Sequence, residues 1–154
     1  MDFWDVIKQR HCTRSFNSER EVNDDLINKV IEAAKMAPSA GNMQDWRFKV
    51  VRDENIKQQL AQAALNQTFI SQAPVVIVIS SDLKVAQNHY GQRGVELYSI
   101  QDVSAASQNL FLACIALGLS ACWIGAFNEQ QVSQILNLPK TWRPMVIMPI
   151  GYKK

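Results

Sequence analysis

An uninterrupted apolar segment near the middle of the chain, "PVVIVIS" at residues 74–80, places the strongest limit on the fold. Its β-branched residues favour a strand, and apolar side chains on both faces of a strand need cover on both sides of the sheet. We therefore expect a sheet between helices. The chain has 154 residues, 47% of them hydrophobic, which is enough to build such a core as one domain over residues 1–154.

Local signals predict the remaining elements. The N-cap residues Asp2, Asn23, Asp53 and Asn128 each precede a helical pattern, and Pro38 is expected to end the second helix. We expect helices at residues 3–10, 24–37, 54–64, 95–117 and 129–136, and strands at 46–51 and 143–152. We also expect a short strand and turn at 120–127 and a loop at 82–94. Since helices and strands do not alternate strictly, this order favours the α+β class over a doubly wound fold.

Charge and hydropathy exclude several classes of function. Sixteen basic and fourteen acidic residues give a net charge of +2, which is too balanced for a nucleic-acid or membrane-surface protein. The longest apolar run is too short to cross a bilayer, and charged residues interrupt any signal-peptide pattern in the first fifteen residues. We expect a soluble, cytoplasmic protein that binds neither nucleic acid nor membrane.

The cysteines and histidines do not form a recognisable metal or disulfide pattern. Cys12, Cys114 and Cys122 are odd in number and contain no CxxC pair, and His11 and His89 lie far apart. We therefore predict no protein metal site and no disulfide framework. Cys114 and Cys122 are interpreted as structural.

Three short segments contain residue types suited to binding a ligand. In "RHCTRSF", Arg10 and Arg14 lie four residues apart and would project on one side if the first helix continued, so they suit a phosphate dianion. The alternative is a solvated basic helix end. Between the second helix and the first strand, Asn42 and Gln44 each offer a donor and an acceptor that suit a flat heterocycle. Ser39 beside them could simply bond the backbone.

The third segment is "SACWIGAF" at residues 120–127. Its Gly125 follows Trp123 and Ile124 at the end of the predicted strand, where a missing side chain lets a ligand or another backbone approach. An ordinary strand-to-turn glycine explains the same residue equally well.

Taken together and in this order, the segments resemble the nitroreductase family. The resemblance covers nearly the whole chain: Arg-x-x-x-Arg, then "APSAGNMQDW", then "ASQNLFLACIALGLSACWIGAF", then a terminal strand ending "IGY". It implies an α+β fold with a central mixed sheet wrapped by helices, and an intertwined homodimer with FMN bound at the subunit interface. The helix at 95–117 resembles the family's dimerisation helix.

The resemblance also implies roles for individual residues. The FMN phosphate and ribityl chain are expected at Arg10, His11, Cys12 and Arg14, and the flavin ring is expected near Pro38, Ser39, Asn42 and Gln44, often from the partner subunit. An amide at Asn66 or Gln67 is expected at the ring edge, and Trp123, Ile124 and Gly125 are expected to pack on the ring. Lys153, together with Lys154, stands where the family often has a further basic arm.

The implied activity is electron transfer from NADH or NADPH through FMN to nitroaromatic or quinone-type acceptors, by a ping-pong mechanism. The resemblance implies no catalytic side chain, since the cofactor carries the chemistry. Asp45 stands where the family usually has proline, and we expect it to reach water or an arginine. The alternatives are a flavin-binding protein of the same fold with another redox reaction or little turnover, and a thiol-redox protein that uses Cys12 or Cys122.

Overall fold

The chain forms seven helices and four strands in a computed structural model that describes residues 1–154. The helices are α1 (Phe3–Gln9), α2 (Asp24–Lys35), α3 (Glu54–Ala63), α4 (Phe69–Gln72), α5 (Leu83–Arg93), α6 (Ser99–Ala116) and α7 (Glu129–Ile135). The strands are β1 (Trp46–Val51), β2 (Val75–Asp82), β3 (Ser120–Ala121) and β4 (Trp142–Gly151). A short 3-10 turn at Ala40–Asn42 precedes β1, and a π-helical turn at Gly94–Tyr98 leads into α6.

The strands form one sheet in the order β1-β2-β4-β3, and all of its ladders are antiparallel. The parallel component is a single bridge between Cys12 and Ala121. Residues 75–79 of β2 are fully buried, and alternate side chains pack into two separate cores. Val75, Ile77 and Ile79 face α2 and α6, whereas Val76 and Val78 face α3, α4 and α7. The prediction of a sheet between helices is confirmed.

The predicted helix starts are confirmed at the level of single hydrogen bonds. The side-chain oxygens of Asp2, Asn23, Asp53 and Asn128 each accept the N–H of the residue three positions on, at 2.9–3.0 Å. These bonds satisfy backbone donors that a helix leaves unpaired at its start. Helix α2 ends at Lys35, and Pro38 lies three residues beyond its end.

The prediction of a loop at residues 82–94 is wrong. Most of this segment is α5, which begins after Asp82, whose side chain accepts the N–H of Lys84 at 3.2 Å. Gly91 interrupts the helix with φ 58°, and Ala86 is the side chain in α5 that is buried. The segment looked like a loop because a mostly exposed helix has no apolar stripe and glycine usually signals a break.

The longest helix was predicted correctly in its place and its end. Helix α6 continues from the π-helical turn and ends before Gly118, which has the left-handed φ of 75° typical of a residue just past a helix. The short strand and turn predicted at 120–127 is confirmed: β3 and a bridge between Ile124 and Ile147 pair with β4. None of the helices is long and apolar enough to cross a bilayer.

Candidate functional site

The segment from Arg10 to Arg14 is extended, so α1 does not continue through it and the condition for both arginines to project from one helix face is not met. Helix α1 ends at Gln9, and Arg10 caps it with an extended ψ of 110°. The segment then runs beside the strand that follows α6: the Thr13 N–H donates to the Ala121 carbonyl at 2.9 Å. The Trp123 N–H donates to Cys12 Sγ at 3.4 Å. The fold therefore joins the first and third candidate segments.

The two arginines of this segment have no carboxylate partner. Arg14 is exposed and makes no ion pair or hydrogen bond with another residue, and the half-buried Arg10 lies with its guanidinium 5.3 Å from the centroid of the Phe111 ring. Three other arginines pair with acidic side chains: Arg47, Arg52 and Arg143. Unpaired guanidiniums beside exposed backbone are available to an anionic ligand, and paired donors on each favour a phosphate or carboxylate.

The thiols of Cys12 and Cys122 lie in contact beside Arg14. Burial, and then the hydrogen bond with Cys12, raises the pKa of Cys122 to about 12, while the positive charge of Arg14 opposes this rise. Burial likewise raises the pKa of Cys114. Because the thiolate is the reactive form, neither buried cysteine is suited to nucleophilic chemistry. This geometry supports a structural interpretation of both.

The end of the chain lies along the same segment. Lys153 pairs with Phe16 in an antiparallel bridge, and the Lys154 N–H donates to the Ser15 carbonyl at 3.2 Å. The bridge thus brings the exposed Lys153 to the segment that carries Arg14, two residues before Phe16. His11 is also exposed; its Nδ1 lies 2.7 Å from the Gln9 carbonyl, and it lines a separate ≈ 360 Å³ pocket at the ends of α1 and α6.

The strand end at Trp123–Gly125 has an open backbone. Ile124 exchanges two backbone hydrogen bonds with Ile147, at 2.9 and 3.0 Å, and Trp123 is half-buried. Gly125 is exposed, and a Cβ atom added there would meet no other atom within 4 Å. Nothing within this chain therefore requires a glycine at this position, and the backbone is open to approach from outside.

The amides of Asn66 and Gln67 differ in availability. Gln67 Nε2 donates to the Ala64 carbonyl at 2.9 Å and to the Ala126 carbonyl at 3.4 Å, so its amide holds two loops together. Asn66 is exposed, adopts a left-handed φ of 59°, and its side chain bonds to no other residue. Of the two, Asn66 is the amide that is free to contact a ligand.

The loop at residues 38–44 is a tight, internally bonded turn that follows α2. Ser39 Oγ accepts the Gln44 N–H at 3.0 Å, and Gln44 Nε2 donates to Asn42 Oδ1 at 3.1 Å. Pro38, Asn42 and Gln44 are exposed, while Ser39 is half-buried. An open cleft of ≈ 700 Å³ lies beside this loop, lined by Gln44, Trp46 and residues of α2.

Within one chain the candidate residues fall into two groups at diagonally opposite corners of the sheet. Cys12 lies beside Ala121, which pairs with Ile150 and thus with the Val75 end of β2; the 38–44 loop enters β1, on the other sheet edge, where Trp46 pairs with Ser81. Val75 and Ser81 are separated along β2 by about 20 Å, at about 3.4 Å per residue. The fold therefore unites residues 10–14, 123–125 and 153, and leaves residues 38–44 apart from them.

The expectation that Asp45 reaches water or an arginine is wrong. Its carboxylate is completely buried and accepts a hydrogen bond from the Ser81 hydroxyl. The second carboxyl beside it belongs to Asp102 of α6, a residue that the sequence did not single out. Tyr90 was also not predicted; its hydroxyl lies where a side chain at Gly41 would be. Both contacts join residues that are distant along the chain.

These features define an α+β protein with an antiparallel sheet between helices and a corner, here called the arginine corner, formed by residues 10–14, 123–125 and 153. The family model described as "Nitroreductase family" matches residues 7–72 and 61–152, and the chain belongs to this family of oxidoreductases. It is 31% identical over 171 residues to the NADH dehydrogenase of Thermus thermophilus (94% of this chain, 83% of that one). It is 25% identical over 171 residues to the oxygen-insensitive NADPH nitroreductase of Helicobacter pylori (88% and 81%).

A solved structure supports the same assignment. The crystal structure of a nitroreductase family protein from Clostridium novyi superposes with a TM-score of 0.91 at 27% identity, over 100% of this chain and 86% of that one. The expected nitroreductase-like fold is thus confirmed.

Proposed function

We propose that this protein is an FMN-dependent oxidoreductase that transfers reducing equivalents from NADH or NADPH to nitroaromatic or quinone-type acceptors. The observation that carries the proposal is the corner where the segment that contains two unpaired arginines runs beside an open strand end. Two similar proteins named NADH dehydrogenase and NADPH nitroreductase support the electron donor. When bound, FMN would supply the redox chemistry of a ping-pong cycle.

The residues present fit the cofactor. Arg10 and Arg14 offer paired donors to its phosphate, and Lys153, whose backbone pairs with Phe16, is a further exposed cation on the adjoining segment. The open backbone at Gly125 accepts a flat ring without a steric clash. The remaining task of the protein is to orient the ring and stabilise charge at its edge, for which the free amide of Asn66 is suited.

We further propose a homodimer in which the 38–44 loop of one subunit completes the pocket of the other. This follows from the diagonal separation of the two groups of residues, since one chain cannot bring both to the same ring. Exposed apolar side chains support a second copy as the partner: Phe3 and Trp4 on α1 are 64% and 67% exposed. In such a pocket, Asn42 and Gln44 would offer donors and acceptors to the ring.

The decisive experiment combines an absorption spectrum, a size measurement and a turnover assay on the purified protein. We expect flavin absorbance at a dimer's elution volume and NADPH oxidation that accelerates when a quinone or nitrofurazone is added. A flavin-loaded dimer whose NADPH oxidation ignores both acceptors would favour a storage or regulatory protein instead. A monomer that does not bind FMN in excess would overturn the proposal.

A further inference from the structure

Two aspartates meet inside the protein directly behind the 38–44 loop. Asp45, the residue after this loop, is 0% exposed, and Asp102 of α6 is 5% exposed. One oxygen of each has a donor: Asp45 Oδ2 accepts from the Ser81 hydroxyl, and Asp102 Oδ1 accepts the Ala40 N–H at 3.0 Å. The other two oxygens, Asp45 Oδ1 and Asp102 Oδ2, are buried without a partner.

A single proton would give both unpartnered oxygens a hydrogen bond. A buried carboxylate oxygen without a donor is costly, and two ionised carboxylates in contact repel each other. If one carboxyl is protonated, its O–H donates to the free oxygen of the other, so both orphaned atoms are satisfied by one hydrogen bond. In agreement, burial, and then the adjacent Asp45, raises the pKa of Asp102 to about 6, against the opposing effect of the Ala40 N–H.

The two aspartates anchor the loop at both of its ends. Asp102 binds the loop at Ala40, near its start, and Asp45 ends the loop and ties it to β2 through Ser81. Between these anchors, Gly41, Asn42 and Gln44 all have left-handed φ values of 48–55°. Such backbone conformations are uncommon for residues other than glycine and persist only where surrounding contacts hold them.

We propose that Asp45 and Asp102 are positioning residues that share one proton, and that this proton holds the 38–44 loop against α6 in the shape that presents Asn42 and Gln44. Loss of the proton leaves two facing buried anions and loosens the loop at Ala40. The consequence for flavin binding rests on the proposed function above. The carboxyl pair itself does not.

No other charged group competes for this role. The neighbouring elements β1, β2, α2, α5 and the π-helical turn contain charged or phenolic side chains. Several of these bond elsewhere: Arg47 with Asp82, Lys35 with Glu32, Arg93 with Tyr98, and Glu96 with Gln92. The other cationic or titratable basic side chains of these elements are exposed: Lys29, Lys49, Lys84 and His89. The Tyr90 hydroxyl faces Gly41 from α5. None of these groups donates to either aspartate.

Hydrogen exchange of the flavin-free protein tests the pair directly. The measured quantity is the protection factor of the amides at residues 39–44, which corrects for the intrinsic exchange rate. In the wild type we expect it to fall on the order of tenfold from pH 5.5 to pH 7.5. Asp102→Asn keeps an oxygen for Ala40 and adds an N–H for Asp45, so its protection should not change over this range. Asp102→Ala should lose protection at every pH, and Asp25→Asn, an exposed control, should match the wild type.

A second readout is the dissociation constant of FMN over the same range of pH. Because a phosphate monoester itself titrates near pH 6, the informative quantity is the ratio between the wild type and Asp102→Asn. We expect wild-type affinity to fall relative to this variant as the pH rises.

The outcomes separate the two proposals. Identical pH profiles for the wild type and Asp102→Asn, or full protection in a folded Asp102→Ala, would overturn the carboxyl pair. Failure of every variant to bind FMN would overturn the proposed function, and the exchange experiment would still decide the role of the pair.

Discussion

The buried carboxyl pair makes a quantitative prediction about stability. Asp102 has a folded pKa of about 6, above the ordinary carboxyl value of 3.8, so it binds its proton more tightly in the native state. Its contribution to stability is therefore fully present below pH 3.8 and is lost as the pH rises through about 6. One pKa unit corresponds to about 1.4 kcal/mol, so the full loss is about 3 kcal/mol, and about 2 kcal/mol of it falls between pH 4.5 and pH 7.5.

Urea unfolding of the flavin-free protein measures this loss. The wild type and Asp102→Asn are unfolded at a fixed protein concentration at several pH values, because association would otherwise change the apparent stability. Groups that titrate equally in both proteins cancel in the difference between their free energies of unfolding. We expect that difference to shift by about 2 kcal/mol in favour of the variant from pH 4.5 to pH 7.5.

The shift is large enough to decide the question, since small domains are stable by only about 5–15 kcal/mol in total. A difference that stays constant over this range would refute the reasoning that burial beside Asp45 holds a proton on Asp102. A shift of the opposite sign would mean that the native state favours the ionised carboxylate.

Three further predictions concern the arginine corner. Arg14→Ala should weaken FMN binding by about 1.5–3 kcal/mol, because a charge-assisted contact is lost. The control Arg52→Ala removes an arginine that pairs with Asp24 and should not weaken binding. Equal affinities of the two variants in isothermal titration would contradict the phosphate assignment. Gly125→Ala should leave the stability of the flavin-free protein unchanged or raise it by about 0.4–1 kcal/mol. The same variant should weaken FMN binding, and an undiminished affinity would argue against contact between the flavin ring and Gly125. Iodoacetamide at pH 8 should modify the half-buried Cys12 and leave Cys122 unmodified. Bound FMN should slow the modification of Cys12. Mass spectrometry of the digested protein measures both.

Features that depend on neighbouring residues could be predicted from the sequence. The caps at Asp2, Asn23, Asp53 and Asn128 each bond an N–H three residues away, so their partner is fixed by the spacing alone. The burial of β2 on both faces likewise follows from its own apolar sequence. For the same reason the sheet between helices was predictable, although the order of its strands was not.

Features that depend on distant residues could not be predicted. Helix α5 is polar and is held by packing that its own sequence does not reveal. The environment of Asp45 is set by Ser81 and by Asp102, which lies on a helix far along the chain. No local pattern distinguishes an aspartate that will meet a second carboxyl from one that will reach water. The contact between Cys12 and Cys122 was hidden in the same way.

The central strand connects the predictable and unpredictable parts of the site. Its apolar length was evident from the sequence, and that length keeps the arginine corner and the 38–44 loop at opposite ends of the sheet. The 38–44 loop lies too far from the arginine corner of its own chain to be ordered by a flavin bound there. It must be held by contacts within its own subunit, and the hydrogen bonds of Ser39, Asp45 and Asp102 are those contacts. The buried carboxyl pair stands independently of the proposed dimer, and it supplies the fixed loop shape that a pocket divided between two copies of the fold would need.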